Sequence, residues 1–438
     1  MAAPSLTPSR VVAHEVMRDL RRGELLDRAL ERGARRLDAR DLAWTRELLY
    51  GTQRLRGRID HLLSARVRGG MDSLEPDVLD VLRLGAYQLL EMGGVPTYAA
   101  ISQSVDLVRA AGAPRAAGLV NGVLRALDRE RARPRFPDPA AEPVEYLCSW
   151  GSHPRWLVER WLARWGYEET ERLLASNNER PELYVRPIGV DVDEAGRRLG
   201  EAGIASERVD LAPRSLRISS DADVAAILAA APLVVQDPAA GLVTDYAAAP
   251  AGATVVDLCA APGGKAAGMS EAARYVVAGD ISEGRLRRVR QNVARLGLEG
   301  RVGAVVADGR VPPYAEVDLV LLDAPCTGTG TFRRHPDGRW RIGPAELAAL
   351  IELQRELLES AARLVRPGGV LVYATCSLEP EENAEQMAAF LARHPEFEPA
   401  PADRAVDPAL LAPDGSLLVL PQRHQVDGAY ALRMRRRE

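Results

Sequence analysis

The chain has 438 residues, 47% hydrophobic and 27% charged, which is enough for two or three domains that each bury a core. A net charge of −4 at pH 7 excludes a globally basic nucleic-acid binder, so any RNA-binding surface must be a local patch. No apolar run approaches the roughly 20 residues of a spanning helix, and the start, Met1-Ala2-Ala3-Pro4-Ser5, lacks the basic and apolar regions of a secretory leader, so a cytoplasmic protein with no membrane contact is expected. Four cysteines at scattered spacing, with no Cys-x-x-Cys pair, argue for free thiols and against a zinc site, so no metal is expected. Among 57 lysines and arginines, Lys265 is the sole lysine, and a compact ammonium there does what a planar guanidinium cannot.

Residues 8–133 read as helix throughout. Apolar positions recur at helical spacing over 11–20, 42–55, 78–90, 101–110 and 119–127, with Gly and Pro breaks between them. Two stretches, Val95-Pro96-Thr97-Tyr98-Ala99-Ala100-Ile101 and Leu119-Val120-Asn121-Gly122-Val123-Leu124, resemble the NusB-type RNA-binding domain. That resemblance implies an all-α NusB-like bundle over 1–138, with Arg21, Arg22, Arg32, Arg35, Arg36 and Arg40 as a candidate RNA surface.

The Pro-rich stretch from Arg133 to Pro143 is a linker. Beyond it, 139–233 is expected to form a small α/β module that joins the domains and contacts RNA. It holds an aromatic helical segment with Trp156, Trp161 and Trp165, a strand at 183–188 and a helix near 194–202. Tryptophans at helical spacing are more often core than base-stacking platforms.

From 234 to the end, strands and helices alternate. Strands are expected near 255–259, 275–280, 302–307, 317–323, 370–375, 417–420 and 429–434, and helices near 283–296, 344–364 and 380–393. Continuous apolar strands with intervening helices indicate a buried, mostly parallel seven-stranded sheet of Rossmann-like α/β type.

The first strand runs into a turn of small residues, Cys259-Ala260-Ala261-Pro262-Gly263-Gly264-Lys265. A phosphate-binding P-loop requires Gly where Cys259 stands and Ser or Thr where Ala266 stands, and no register satisfies the dinucleotide Gly-x-Gly-x-x-Gly. Asp280, Asp308 and Asp323 end the next three strands, where carboxylates face the ligand crevice of such sheets. The combination points to S-adenosylmethionine as cofactor, with Asp280 accepting from ribose hydroxyls and Asp308 meeting the adenine amino group.

Two cysteines follow apolar strands, in Asp323-Ala324-Pro325-Cys326 and in Thr375-Cys376-Ser377. Together with the glycine turn, these motifs resemble the RNA cytosine-C5 (m5C) methyltransferases, and the NusB-like start resembles the branch that methylates 16S ribosomal RNA. Gly330-Thr331-Phe332-Arg333-Arg334-His335-Pro336-Asp337 fits the same family. The resemblance implies that Cys376 is the nucleophile and that Cys326 assists product release, helping to remove the C5 proton. Cytosine C5 is too weak a nucleophile to take a methyl group unaided, so a thiolate must first add to C6. Lys265 is a candidate for activating the thiol or contacting the base, and Asp323 for bonding the cytosine N3 and N4 edge. Arg333, Arg334 and His335 are candidates for holding phosphates near the thiols.

A DNA cytosine methyltransferase would carry Glu-Asn-Val, which is absent, and an amino-group methyltransferase would show Asp or Asn-Pro-Pro-Tyr at the fourth strand. A non-catalytic NusB-like antitermination scaffold, or an m5C enzyme acting on another RNA, are the remaining alternatives. A monomer is the simpler expectation.

Overall fold

The computed structural model describes residues 6–218, 223–402 and 405–438, so the start of the amino-terminal segment, 1–5, lies outside the described residues. Contacts divide the chain into two compact units, Met1–Glu179 with Phe332–Gly343, and Arg180–Thr331 with Pro344–Glu438.

The first unit is helical. Its amino-terminal bundle comprises Pro8–Arg21, Leu26–Ala34, Ala39–Arg54, Arg56–Ser64, Pro76–Leu90, Thr97–Ala110 and Ala117–Glu130. Two of these, Leu26–Ala34 and Arg56–Ser64, are nine-residue helices that the sequence windows did not single out. Proline at the first helical turn starts Pro8–Arg21 and Pro76–Leu90, where its missing N–H costs nothing. Asp38 caps Ala39–Arg54 by accepting from the Asp41 amide at 2.8 Å. The core is aliphatic, with Val12, Val16, Leu30, Leu48, Leu49, Val81, Leu82, Leu107 and Leu124 buried together. Gly51 is required there, because a Cβ would lie 1.9 Å from the Tyr87 ring.

Helices Pro143–Ser149 and Arg155–Asn178 also belong to this unit. So does the segment Phe332–Gly343, whose Arg339 is fully buried. No carboxylate pairs with that guanidinium in its hydrogen bonds. It donates instead to the carbonyls of Ser152 (3.1 Å), Asn177 (2.9 Å) and Phe332 (3.2 Å) and to Asn178 Oδ1 (2.7 Å).

The second unit begins with a four-stranded antiparallel sheet, β1 (Leu183–Pro187), β2 (Ser206–Arg208), β3 (Leu216–Ile218) and β4 (Leu233–Val235), in the order β2-β3-β1-β4. A larger sheet follows: β5 (Thr254–Asp257), β6 (Tyr275–Asp280), β7 (Val302–Val306), β8 (Val317–Asp323), β9 (Val365–Thr375), β10 (Phe397–Pro399), β11 (Leu417–Val419) and β12 (Ala429–Arg436). Its order is β10-β12-β9-β8-β5-β6-β7, with β11 pairing β12. Strands β5 to β9 run parallel, while β12 lies antiparallel to β9 and to β10. All seven expected strands are present, and β10 is an eighth.

Alternate residues of the central strands enter two separate cores. Val255, Leu319, Leu321 and Val372 line one face, and Val256, Val320, Leu322 and Tyr373 the other. That two-sided burial explains why these strands read as unbroken apolar runs. Among the described residues, no helix is long and apolar enough to cross a membrane.

Candidate active site

Strand β5 is flanked by β6 on one side and β8 on the other, so the chain order reverses between β5 and β8. Ligands of open α/β sheets bind at such a reversal, outside the carboxyl ends of the strands. The loops leaving β5 and β8 carry the expected motifs to that edge, and β9 delivers Thr375-Cys376-Ser377 beside them.

The turn Cys259–Lys265 is held by Ala260 N donating to Gly279 O (2.8 Å) and Gly263 N to Ala260 O (2.7 Å). Gly263 has φ +97°, and a Cβ there would lie 3.1 Å from Val289, so only glycine suits the position. Lys265 Nζ donates to Asp323 Oδ2 at 2.6 Å. Burial works against the Lys265 charge, yet Asp323, with Asp257 and Cys376 adding to it, raises its pKa, so the ammonium persists.

Asp257, at the end of β5, was not among the expected site residues. Both its carboxylate oxygens are buried, with only the Cys259 backbone amide beside them to counter the burial that, with Asp323 adding to it, pushes its pKa up to about 8. Asp280 is also buried. Its Oδ1 accepts from Ser282 N and Arg285 Nη2, each at 2.8 Å, and its Oδ2 has no partner. Asp308 is engaged by Arg310 Nη2 at 2.7 Å, a hydrogen bond that lowers its pKa. Gln236 lies against the glycine turn, since a Cβ on Gly264 would meet its Nε2 at 2.9 Å.

Cys326 and Cys376, 50 residues apart, come together with Sγ–Sγ 3.4 Å. The hydrogen bond to Cys376, reinforced by burial, raises the Cys326 pKa well above that of an ordinary thiol. Either sulfur can be the donor of that contact. Burial also raises the pKa of Cys259 and takes that of Cys148 up to about 11, so neither is poised as a thiolate.

Among the arginines expected to meet RNA, Arg21, Arg32 and Arg36 make ion pairs within the bundle, and Arg35 and Arg40 are exposed. Arg21 pairs with Asp77 and Asp80, Arg32 with Asp19 and Glu24, and Arg36 with Glu15. Arg333 is buried in the helical unit and His335 lies 3.2 Å from Asp27. A different basic surface stands out in that unit, a cavity of about 910 Å³ lined by His61, Arg66, Arg129, Arg133 and Arg135. His14, Asp77 and Asp80 approach one another closely enough for a metal ion, but Arg18 and Arg21 already neutralise those carboxylates.

Comparison with known proteins adds three family matches. The NusB family matches residues 7–129, a ferredoxin-like domain of RsmF/B-like methyltransferases matches 153–225, and the family described as 16S rRNA methyltransferase RsmB/F matches 246–435. Ribosomal RNA small subunit methyltransferase B of Klebsiella pneumoniae is 35% identical over 89% of this chain and 90% of its own length. The protein of the same name from Vibrio cholerae is 34% identical over 90% and 92%. The crystal structure of PH0851 superposes with a TM-score of 0.81 at 29% identity, covering 98% of this chain and 99% of that one. NSun6 of Pyrococcus horikoshii, solved with SFG, shares the fold at a TM-score of 0.55 and 20% identity, covering 65% of this chain and 98% of its own.

Proposed function

Since the chain belongs to the 16S rRNA methyltransferase RsmB/F family, we propose that it methylates C5 of a cytosine in 16S ribosomal RNA, using S-adenosylmethionine and a covalent adduct between Cys376 and cytosine C6. On this reading 1–138 is the NusB-like RNA-binding domain, 139–233 the joining module and 234–438 the catalytic domain of a cytoplasmic enzyme. The observation that supports the mechanism is the thiol pair, with the Cys326 and Cys376 sulfurs 3.4 Å apart beside the glycine turn.

The residues at the sheet edge fit the cofactor. Asp257 and Asp280 offer buried carboxylate oxygens with lone pairs left to accept, and S-adenosylmethionine carries an ammonium group and ribose hydroxyls as donors. The small residues Cys259–Gly264 admit a ligand close to the backbone, with Asp308 and Asp323 completing the set. When bound, the cofactor supplies an electrophilic methyl group on a sulfonium.

The Cys376 thiolate adds to C6 of the cytosine and delivers an electron pair toward C5 and the N3 edge. Asp323, ion-paired with Lys265, is the group to accept from the N4 amino group and from N3 once that edge is protonated, and the Lys265 ammonium supplies positive charge for the developing anion. After C5 is methylated, its proton passes to solvent with the help of Cys326, the C6–S bond breaks and the electron pair returns to Cys376 as its thiolate.

The test is methyl transfer from labelled S-adenosylmethionine to protein-free 16S RNA by wild type, Cys376→Ala and Cys326→Ala, with a denaturing gel for trapped adduct. Cys376→Ala is expected to lose product and adduct, and Cys326→Ala to accumulate adduct. Full activity in Cys376→Ala would overturn the nucleophile, and no transfer by wild type would favour another RNA or the scaffold.

A further inference from the structure

We propose that Glu382 is a positioning residue that sets the distance between the two thiols, a role that rests on the thiol chemistry assigned above. Cys326 and Cys376 lie on separate loops, and the side chain of Glu382 is fully buried between the turns that follow them. Its Oε1 accepts from the Thr327 amide and from Gln354 Nε2, each at 2.9 Å, while Oε2 accepts from the hydroxyls of Thr327 and Ser377. A carboxylate has about four lone-pair sites, and here four donors fill them.

Those donors are the immediate neighbours of the two cysteines. Thr327 follows Cys326, and Gln354 Nε2 also donates to the carbonyl of Pro325 at 2.9 Å, so Cys326 is held from both sides. Ser377 follows Cys376, and the next residue after Glu382 completes the grip. Asn383 accepts from the Thr375 hydroxyl at 2.5 Å and donates to the Ser377 carbonyl at 2.8 Å. The Tyr373 hydroxyl fixes the clamp itself by donating to the Glu382 carbonyl at 2.7 Å. A buried carboxylate with only neutral donors is costly to maintain unless every lone pair is used. The two turns also meet through Gly330 N donating to the Cys376 carbonyl (2.9 Å) and Leu378 N to the Thr329 hydroxyl (2.8 Å), and Glu382 adds to these the one group that binds the residues next to both cysteines at once.

The experiment uses the full-length protein and two independent readouts. Without RNA or cofactor, diamide takes two electrons and two protons from paired thiols, and the Cys326–Cys376 disulfide is followed as a linked peptide by mass spectrometry. Wild type is expected to form it readily, and Glu382→Ala about tenfold more slowly or worse, since closure depends on held geometry. Glu382→Gln keeps one acceptor oxygen and can donate to the two hydroxyls, so it is expected to stay within about threefold of wild type. In methyl transfer, Glu382→Ala is expected to lose about 10²-fold in kcat with the KM for cofactor unchanged.

If Glu382→Ala does not fold, Thr327→Val removes one hydroxyl donor and is expected to slow both readouts in the same direction. Wild-type closure and kcat in a folded Glu382→Ala, or a wild type that does not form the disulfide, would overturn the proposal. A wild type that pairs its thiols but transfers no methyl group would overturn the proposed function, and the disulfide comparison would still decide the role of Glu382.

Discussion

Asp257 and Asp323 show how single side chains divide the work at the sheet edge. Asp257 is buried among Asp323, Asp280 and Lys265, with its pKa up to about 8, so at neutral pH it is mostly protonated. A bound cation favours the ionised carboxylate, so cofactor binding below about pH 8 must expel a proton. Cofactor affinity is therefore expected to rise with pH by up to about tenfold per unit and to level off above pH 8. Calorimetry across pH 6 to 9 tests this, and Asp257→Asn is expected to flatten the profile. Asp323→Asn removes the charge that Lys265 pairs with, and turnover is expected to fall about 10² to 10³-fold, measured at saturating cofactor. Sequence reasoning reached Lys265, Asp323, Cys326 and Cys376 because each sits in a motif with chemistry of its own. Asp257 carried the same signal as Asp280, an acid closing an apolar strand, but it merged with the glycine motif. Glu382 had no such signal. In Glu379-Pro380-Glu381-Glu382 it reads as the acidic first turn of a helix, and only the fold shows its carboxylate turned inward.

Among elements, length decided part of what the sequence revealed. β2, β3, β4 and β10 have three residues each, too few to show a period, whereas β11, equally short, was read from the apolar run 417–420. Of the candidate arginines near the first helices, Arg21, Arg32 and Arg36 pair with carboxylates of the same bundle, whereas Arg35 and Arg40 are exposed. The end of Ala117–Glu130 and the linker after it leave Arg129, Arg133 and Arg135 exposed around the cavity that His61 lines. Replacing all three with Ala is expected to weaken RNA binding across sequences and to flatten the log K against log salt slope by about 2, the counterions released by three contacts to single-stranded RNA. Replacing Arg21, Arg32 and Arg36 is expected to leave that slope nearly unchanged. Filter binding from 50 to 300 mM salt separates the two sets.

Across the whole molecule, the chain passes between its two units after Glu179, after Thr331 and after Gly343. The thiol loop of the sheet therefore continues directly into a segment that folds with the helical unit. Native-state hydrogen exchange is expected to show the amides of Trp340 and Ile342 protected in step with the bundle rather than with β5 to β9. Arg339→Ala orphans several buried carbonyls and is expected to destabilise the helical unit by about 3 kcal/mol or more, with the sheet's protection retained. The ion pair at the other end of the site also has a molecule-wide consequence. Apart from the α-amine, Lys265 carries the sole primary amine in 438 residues, and Asp323 holds it charged and therefore unreactive. An amine-selective acylating reagent thus has one side-chain amine to modify, and the rate at that position, read apart from the α-amine by peptide mapping, reports how often the pair opens.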